Sequence, residues 1–316
     1  AAKAYADLMR KNVSKNEMDV KAQVADSYHM VLVARKNVSI LEDSKDLVES
    51  TVQETAVLYN SGFAEEQDLD QLQLTLADLK ARINFASKQA DIALDLLKFN
   101  LGLPLVSTLE LTDNVETLLA GGMDPLGVPF SLNDNPGIKV QQGYVGLSEL
   151  NVKNEQAKRL PRISAFYTYQ RNAQREDFSF LDFDQKWYPT QLWGVQMSMP
   201  IFGGFSKTHS IAKAKIDQER ATLTLEQMSA GAELEYSTAL NEYANSVENE
   251  RIQTEALQLA ERIFSRTQIK YGEGLASSFD LAQAQNQLLT AQGNKIQSIL
   301  QLLNAKTRLN KSLNNF

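Results

Sequence analysis

Two aspartates occupy the same place in two copies of one short segment, and their position suits them to chemistry. Asp280 lies in YGEGLASSFDLAQAQ and Asp68 lies in YNSGFAEEQDLDQLQ, and these segments are identical at seven of fifteen positions. Asp280 follows Ser277 by three residues, the spacing of a capping box, so it can stabilise a helix N-terminus. A carboxylate at a constriction can instead favour or bind cations. The spacing alone leaves both roles open.

The second copy bears on this choice. Glu65 stands before Asp68 where Ser277 stands before Asp280, and a glutamate does not match the serine of the box. We therefore expect no such cap at Asp68. An aspartate that is kept where its capping partner is lost favours a functional role slightly over capping.

Long helices must position both aspartates. Residues 2–59 contain no proline or glycine and show apolar residues at helical spacing, which predicts a helix of about 85 Å at 1.5 Å per residue. A second helix is expected over 66–101, a third over 207–270, and a fourth from 277 onwards. A shift of 212 residues superposes the two pairs without a gap. The sequence therefore predicts a duplicated long helical hairpin.

Between the hairpins the pattern changes. Residues 102–137 are rich in Gly, Pro, Asn and Asp and predict only short elements, and a helix is expected over 138–159. PRISAFYTYQ and QLWGVQMSMPIFGG alternate with period two and predict a β-hairpin, joined by a long polar loop at 171–190.

Each predicted strand is about ten residues long, the length of a tilted strand that crosses a bilayer. The alternative is a soluble hairpin packed on the helices by its apolar faces, and alternation supports both equally. Two strands cannot close a barrel, so either interpretation requires further strands from partner chains or additional sequence.

Composition excludes several classes of function. The 316 residues are 43% hydrophobic and 22% charged with a net charge of -7, which argues against a nucleic-acid partner. There is no cysteine and no apolar run of the roughly 18 residues that a membrane helix needs, so only strands could enter a membrane. His29 and His209 lie far apart, and no catalytic or zinc-binding spacing is present. We predict no enzyme activity, no metal and no cofactor.

The order of these pieces resembles one known family. Two long hairpins, LPRISAFYTY, WGVQMSMPIFGG running into a helix, and YGEGLASSFDLAQAQ together resemble the TolC-type outer-membrane efflux channels, along nearly the whole chain. The resemblance implies a mainly α fold with a small β part, in which helical hairpins form a tunnel barrel and a transmembrane β-hairpin contributes to a trimeric β-barrel.

The same resemblance implies a role and partners. It places a homotrimer in the outer membrane of a Gram-negative bacterium, in contact with outer-membrane lipid, with a periplasmic adaptor protein and an inner-membrane pump as partners. Substrates would leave the cell through a gated pore. The rival interpretation is a periplasmic structural or adaptor protein built from long helical hairpins without a pore.

The resemblance also assigns a place to each segment. It implies a first periplasmic hairpin at 1–101, an equatorial segment at 102–137, a helix leading to the barrel at 138–159, an outer-membrane β-hairpin at 160–206 with an extracellular loop at 171–190, and a second periplasmic hairpin at 207–316. Only two of four expected strands are present. The shift of 212 carries Ala1 onto Lys213, just past PIFGG, so we expect an upstream segment with a further helix and strand pair.

Four residues match the family's periplasmic gate. Asp280 matches an aspartate that faces the lumen in a ring of three, and the second ring position, one helical turn on, is Gln283. Tyr271 matches a tyrosine whose hydroxyl bonds an aspartate corresponding to Asp68 and helps to keep the entrance closed. A reinforcing arginine of the family falls at Ala276, so we expect that latch to be absent. Tyr271 could equally be a helix-end aromatic packed in the seam.

Two further sets follow from the resemblance. The glycine-centred turns match the tips on which adaptor hairpins dock, although each glycine could also be an ordinary left-handed helix stop. The tip residues are Gly62, Phe63, Ala64, Gly274, Leu275 and Ala276. A pore predicts lipid-facing strand residues that a scaffold would bury. These are Tyr167, Trp193, Val195 and Met197.

Overall fold

The protein is mainly helical with one β-hairpin, as the sequence predicts. The computed structural model describes residues 2–120, 127–174, 176, 182, 184 and 186–315. A short 3-10 turn covers Leu132–Asp134. The elements are α1 (Ala2–Asn60), α2 (Glu66–Asn100), α3 (Val115–Ala120), α4 (Pro136–Ala157), β1 (Arg162–Asn172), β2 (Tyr188–Ser198), α5 (Ser206–Gly272) and α6 (Ser278–Ser312).

One compact unit comprises Ala1–Arg10 and Val140–Gln227. Within it the start of α1 packs closely on α4. Leu8 is 1% exposed, and a Cβ on Gly143 would lie 2.8 Å from Leu8 Cδ1. A Cβ at this position would require the end of the Leu8 side chain to shift, so glycine allows the close α1–α4 crossing.

Hydrogen bonds fix the helix ends that flank the strands. Lys207 Nζ donates to the main-chain oxygen of Lys158 at 2.6 Å, and Arg159 Nη2 donates to Thr208 Oγ1 at 3.1 Å. Both bonds join the end of α4 to the start of α5. The two ends of the β-hairpin are therefore held together at its base.

The strands pair antiparallel in one unbroken register. Side chains alternate between the two faces of a strand, so directly opposed residues share a face. On one face the opposed pairs are Tyr167 and Trp193, Ala165 and Val195, and Ile163 and Met197. On the other face Phe166 covers Gly194, where a Cβ would lie 2.9 Å from Phe166 Cζ.

The bounds of the strand connection differ from the prediction. The loop expected at 171–190 is shorter, because β1 continues to Asn172 and β2 already begins at Tyr188. Arg171 and Pro189 pair across the strands instead of lying in the loop. Residues 175, 177–181, 183 and 185 of the expected loop lie outside the described residues.

The second compact unit comprises Lys11–Lys139 and Met228–Phe316. Its core is a helix seam with a seven-residue repeat, the pattern of coiled-coil packing. Buried residues recur along α2 at this spacing and meet apolar side chains of α1 and α6. The buried α2 residues of the repeat are Leu72, Leu79, Ala86 and Ala93.

The segment after α2 is anchored on the long helices of this second unit. Tyr28 donates to Asp113 Oδ2 at 2.7 Å, and Val115 is buried in an apolar cluster with residues of α1 and α6. Further along, the Phe130 ring stacks on Tyr236 of α5 with centroids 4.5 Å apart. The short elements predicted for the middle of the chain are therefore packed against helices and not free linkers.

None of the helices in the described part of the chain is both long and apolar enough to span a lipid bilayer.

Candidate functional site

Both long hairpins end in the same turn. Gly62 follows α1 with φ +78°, and Gly274 follows α5 with φ +70°. The residue after each glycine donates its main-chain N–H to the carbonyl five residues earlier, at 2.8 Å for Phe63 and 2.7 Å for Leu275. This pattern is a Schellman motif, which a left-handed residue closes. The duplication predicted from the sequence extends to the backbone geometry of the tips.

The tips present large apolar side chains to solvent. Phe63 is 83% exposed and Leu275 is 75% exposed, while Ala64 and Ala276 are half-buried beside them. An exposed phenylalanine and an exposed leucine on otherwise polar turns are suited to a partner's apolar groove. Docking at these six tip residues remains a prediction.

Asp280 is a helix cap in this structure. Its Oδ2 accepts hydrogen bonds from the Ser277 main-chain N–H at 3.0 Å and from Ser277 Oγ at 2.8 Å, and Ser277 Oγ accepts from the Asp280 N–H at 3.2 Å. The two Ser277 donors hold the pKa of the Asp280 carboxyl below its usual value, and Lys270 adds a smaller attraction. The carboxylate is fully exposed and stays ionised.

Asp68 also serves its own helix, which corrects an inference from the sequence. Glu65 is the N-cap of α2, and its main-chain N–H donates to Asp68 Oδ2 at 3.4 Å. The arrangement of a capping box is kept, with Asp68 as its N3 residue. An aspartate can therefore contribute its half of the box without the serine. Its retention in the first copy is not by itself a sign of function.

The second oxygen distinguishes the two aspartates. Asp68 Oδ1 accepts a short hydrogen bond from Ser278 Oγ, which joins the first hairpin to the second. Ser278 itself is 4% exposed. No hydrogen bond to Asp280 Oδ1 is present within the described ranges, and Asp280 lines an open groove. The first copy thus uses its spare oxygen inside the protein, and the second leaves it free.

The Tyr271 hydroxyl bonds a different residue from the one that the resemblance implies. Its hydroxyl lies 2.7 Å from Thr55 Oγ1, and Thr55 has no exposed surface. The Tyr271 ring packs against an apolar cluster that includes Phe264. The expected bond from Tyr271 to Asp68 is replaced by two links, from Tyr271 to Thr55 and from Ser278 to Asp68. Polar side chains therefore do connect the two hairpins, but the pairs are Tyr271 with Thr55 and Ser278 with Asp68.

A groove of about 350 Å³ runs beside Asp280. Asp280 and Gln283 line it together with Lys270 and Ala276, so the two expected ring positions lie side by side. Gln283 carries no charge. The arginine that the resemblance expects is absent at Ala276, but Lys270 places a positive charge in the same groove. This groove has less negative charge than a pair of carboxylates would give it.

Three residues of this region were not predicted from the sequence. Ser278 drew no attention in the sequence, because the neighbouring Ser277 is the serine that fits the capping box. The first copy also has a glutamate at the position of Ser278. Thr55 lies within α1, and no sequence motif around it indicates a hydrogen-bonding role. Lys270 precedes the Tyr271 turn and could have been noted as a charge near Asp280.

Metal binding finds no support in the described ranges, where no three His, Asp or Glu side chains are grouped. His29 is half-buried and its Nδ1 is shielded from solvent. Burial lowers the pKa of His29, and a contact with Asn304 partly opposes this shift. The interpretation of His29 as a seam residue fits this position, and His209 is exposed.

The four expected lipid-facing residues lie together on one face of the hairpin. Tyr167 and Trp193 are directly opposed, and Val195 and Met197 follow on the same strand face. Their exposed fractions are 65%, 77%, 70% and 63%. The alternative in which the helices bury this face is not what the structure shows.

Comparison with known proteins places this architecture in one class. The sequence pattern of the outer membrane efflux protein family matches residues 130–315, more than half of the chain. The chain belongs to the outer membrane efflux protein family, and the resemblance to TolC-type channels is confirmed.

Two curated relatives are similar over most of the chain. They are the solvent efflux pump outer membrane protein SrpC and the toluene efflux pump outer membrane protein TtgI, both of Pseudomonas putida. Each is 22% identical over 296 residues, which is 92% of this chain. The chain spans 62% of the length of either relative.

Solved structures share the fold at low sequence identity. The outer-membrane channel OprN matches with a TM-score of 0.83 and 20% identity, covering 99% of this chain and 70% of that one. CusC matches with a TM-score of 0.82 and 16% identity, covering 98% of this chain and 72% of that one. The open state of the Neisseria gonorrhoeae channel MtrE matches with a TM-score of 0.81 and 16% identity, covering 99% of this chain and 69% of that one.

Proposed function

We propose that this chain belongs to the exit duct of a tripartite efflux or secretion system. In this proposal three copies form a gated pore in the outer membrane of a Gram-negative bacterium. The pore receives substrates from an inner-membrane pump through a periplasmic adaptor. The observation that carries the proposal is the exposed apolar face of the β-hairpin.

This face suits lipid better than water. Tyr167, Trp193, Val195 and Met197 form a contiguous aromatic and aliphatic surface, whereas the opposite face mixes Phe166 and Leu192 with polar residues such as Gln196. Soluble monomers rarely expose such surfaces, while barrel strands alternate apolar residues outward and polar residues inward. A scaffold without a pore would need another protein to cover the apolar face.

Unpartnered stripes on two helices support the homotrimer. On α2, Phe85, Ile92 and Phe99 recur at seven-residue spacing and are 67%, 61% and 73% exposed. On α5, Ile252 and Leu259 show the same spacing and are 46% and 51% exposed. Two different apolar stripes on one chain fit a head-to-tail ring, in which the α2 stripe of one copy meets the α5 stripe of the next.

The proposal assigns a place to each segment. Residues 1–101 and 207–316 form the periplasmic hairpins, 102–137 the equatorial segment, 138–159 the helix leading to the barrel, and 160–206 the membrane hairpin. The packing of Tyr28 on Asp113 and of Phe130 on Tyr236 supports an equatorial segment held against the helices. Further strands must come from the partner copies or from other parts of the protein.

The tips and the gate take their roles from the same proposal. Phe63 and Leu275 dock the adaptor, because both are exposed on matched turns. Asp280 lines the entrance in a ring of three, with one carboxylate oxygen free for passing cations. Tyr271 and Asp68 connect the hairpins through Thr55 and Ser278 and hold the entrance closed.

Reconstitution of the native full-length protein in planar bilayers tests the pore. We expect trimers with a defined single-channel conductance. Val195→Asp places a charge on the lipid face and should abolish insertion, because a charged side chain that faces lipid destabilises a barrel strand. The matched control is Gln196→Asp, which places the same charge on the opposite face and should still conduct. Equal behaviour of the two variants, or no conductance from the unchanged protein, would rule out the pore.

A further inference from the structure

One polar side chain is buried among all four long helices and lacks a hydrogen-bond partner. Gln285 of α6 is 2% exposed. Neither its Nε2 nor its Oε1 has a partner in the described part of the chain. A buried amide without partners is strongly disfavoured, and native proteins satisfy almost all such groups directly or through ordered water.

Gln285 lines a small cavity. The space open to a water-sized sphere there is about 10 Å³, which matches a single water molecule. The walls combine side chains from both hairpins. They are Leu47, Val48 and Thr51 of α1, Leu72 and Thr75 of α2, Phe264 of α5, and Leu281, Ala282 and Gln285 of α6.

The two threonines of this cavity can still accept hydrogen bonds. Thr51 Oγ1 donates its proton to the Leu47 carbonyl at 3.1 Å, and Thr75 Oγ1 donates to the Gln71 carbonyl at 2.9 Å. Each hydroxyl oxygen therefore retains a lone pair, since a hydroxyl has one proton and two lone pairs. The cavity thus has acceptors on the first hairpin and an unpaired amide on the second.

We infer that Gln285 binds one water molecule at this four-helix junction, and that the water makes the junction a weak point between the two hairpins. The water accepts from Gln285 Nε2 and donates to Gln285 Oε1 and to a threonine oxygen. These are the two to four bonds that buried waters make. The inference depends only on packing and does not require the pore.

The location of the water gives it a mechanical consequence. Two apolar clusters adjoin this cavity, one containing Leu281 and Leu288 and the other containing Val48 and Leu79. Separation of packed apolar surfaces exposes them to water, whereas a water-bridged contact exchanges one water for another. The hairpins should therefore begin to part at Gln285 and not at the flanking leucines.

Replacement of the amide by an apolar chain of similar length is the decisive change. Gln285→Met keeps the unbranched shape and removes both unpaired atoms. We expect a thermal midpoint about 2 °C or more above that of the unchanged protein. Backbone hydrogen exchange in 47–51 and 281–285 should slow by about threefold or more. Gln297→Leu, a polar-to-apolar change at an exposed position of the same helix, should change neither quantity.

A high-resolution crystal structure of the unchanged protein tests the water directly. We expect an ordered water within hydrogen-bond distance of Gln285 Nε2 and its loss in Gln285→Met. If Gln285→Met does not fold, Gln285→Leu is the replacement variant for the same comparison. A dry cavity in the unchanged protein overturns the inference. So does an apolar variant whose midpoint is lower and whose exchange is faster than in the unchanged protein.

Discussion

Ser278 at the start of α6 donates a hydrogen bond to Asp68 near the start of α2, and so links the tips of the two hairpins within one chain. The acceptor is a carboxylate and the donor is buried, conditions under which a hydrogen bond contributes on the order of 1.5–3 kcal/mol. We predict that Ser278→Ala shifts the channel towards its open form by about tenfold or more, measured as open probability in planar bilayers.

The control for Ser278→Ala is Ser61→Ala in the other tip. Within the described ranges Ser61 Oγ bonds the Val57 carbonyl of its own helix, at 2.9 Å, and no residue of the second hairpin. Its removal should leave open probability unchanged. Asp68→Asn should lie between the two, because a neutral oxygen still accepts from Ser278. If both serine variants behave alike, Ser278 does not hold the tips together.

The bond between Tyr271 and Thr55 should stabilise the packed hairpins. Tyr271→Phe leaves the Thr55 hydroxyl buried without its partner, and Thr55→Val does the reverse. We expect each variant to unfold with a free energy about 1 kcal/mol lower, and the double variant to lose less than the sum. A double-mutant cycle in chemical denaturation measures the coupling. Additive losses would show that the hydroxyl pair contributes nothing.

Asp280 combines a cap with a free charge, and two substitutions separate these roles. Asp280→Asn keeps an oxygen that can accept from Ser277 but removes the charge, whereas Asp280→Ala removes both. We predict that both variants lose cation preference, measured as reversal potential in a salt gradient. Asp280→Ala should lower helix stability more than Asp280→Asn, because it also removes the oxygen that accepts from Ser277.

Glu261→Gln is the charge control for Asp280, since it neutralises an exposed carboxylate of α5 outside the groove. Its reversal potential should equal that of the unchanged protein. Selectivity that survives in Asp280→Asn would leave capping as the only role of the residue.

The glycine turns predict opposite effects of the same substitution at two sites. Gly274 has φ +70° and open space around a new Cβ, so Gly274→Ala should destabilise by about 1 kcal/mol through backbone strain alone. Gly231 lies within α5 with equally open space and no positive φ, so Gly231→Ala should stabilise by about 0.5–1 kcal/mol. Thermal unfolding of both variants checks the signs.

His29 should make stability depend on pH. Its pKa in the folded state is lowered by burial, so the unfolded chain takes up a proton first as the pH falls. The contribution of His29 is complete above its unfolded pKa of about 6.5 and is lost as the pH falls through the folded value. We predict a smaller drop in thermal midpoint between pH 8 and pH 5.5 for His29→Gln than for the unchanged protein. Equal drops would exclude His29 as the titrating group.

The architecture was accessible from the sequence because it depends on local patterns. Helices of this length follow from long stretches without proline or glycine, the strands follow from period-two alternation, and the tips follow from a repeat that includes Gly62 and Gly274. The structure moves their bounds by a few residues, most clearly at Tyr188, where β2 begins before the predicted strand.

The hydrogen bonds between hairpins were not accessible in the same way. Which side chain meets Asp68 depends on how far one hairpin is shifted along the other, and no local pattern encodes that offset. Ser278 and Thr55 therefore escaped notice, and Tyr271 was assigned the wrong partner. Gln285 shows the same limit, because a glutamine on a mostly polar helix gives no sign that it is 2% exposed.

The spare oxygens of Asp68 and Asp280 bear on the history of the chain. After a gene segment is duplicated, the two copies are free to diverge, and here the carboxylate of one copy bonds a residue of the other copy whereas its counterpart bonds within its own helix. Alignment of the two halves treats these positions as equivalent, yet the same amino-acid replacement meets different selective constraints in each. Family-wide comparisons should therefore score the halves separately, with Asp68 expected to covary with Ser278 and Asp280 to vary independently of it.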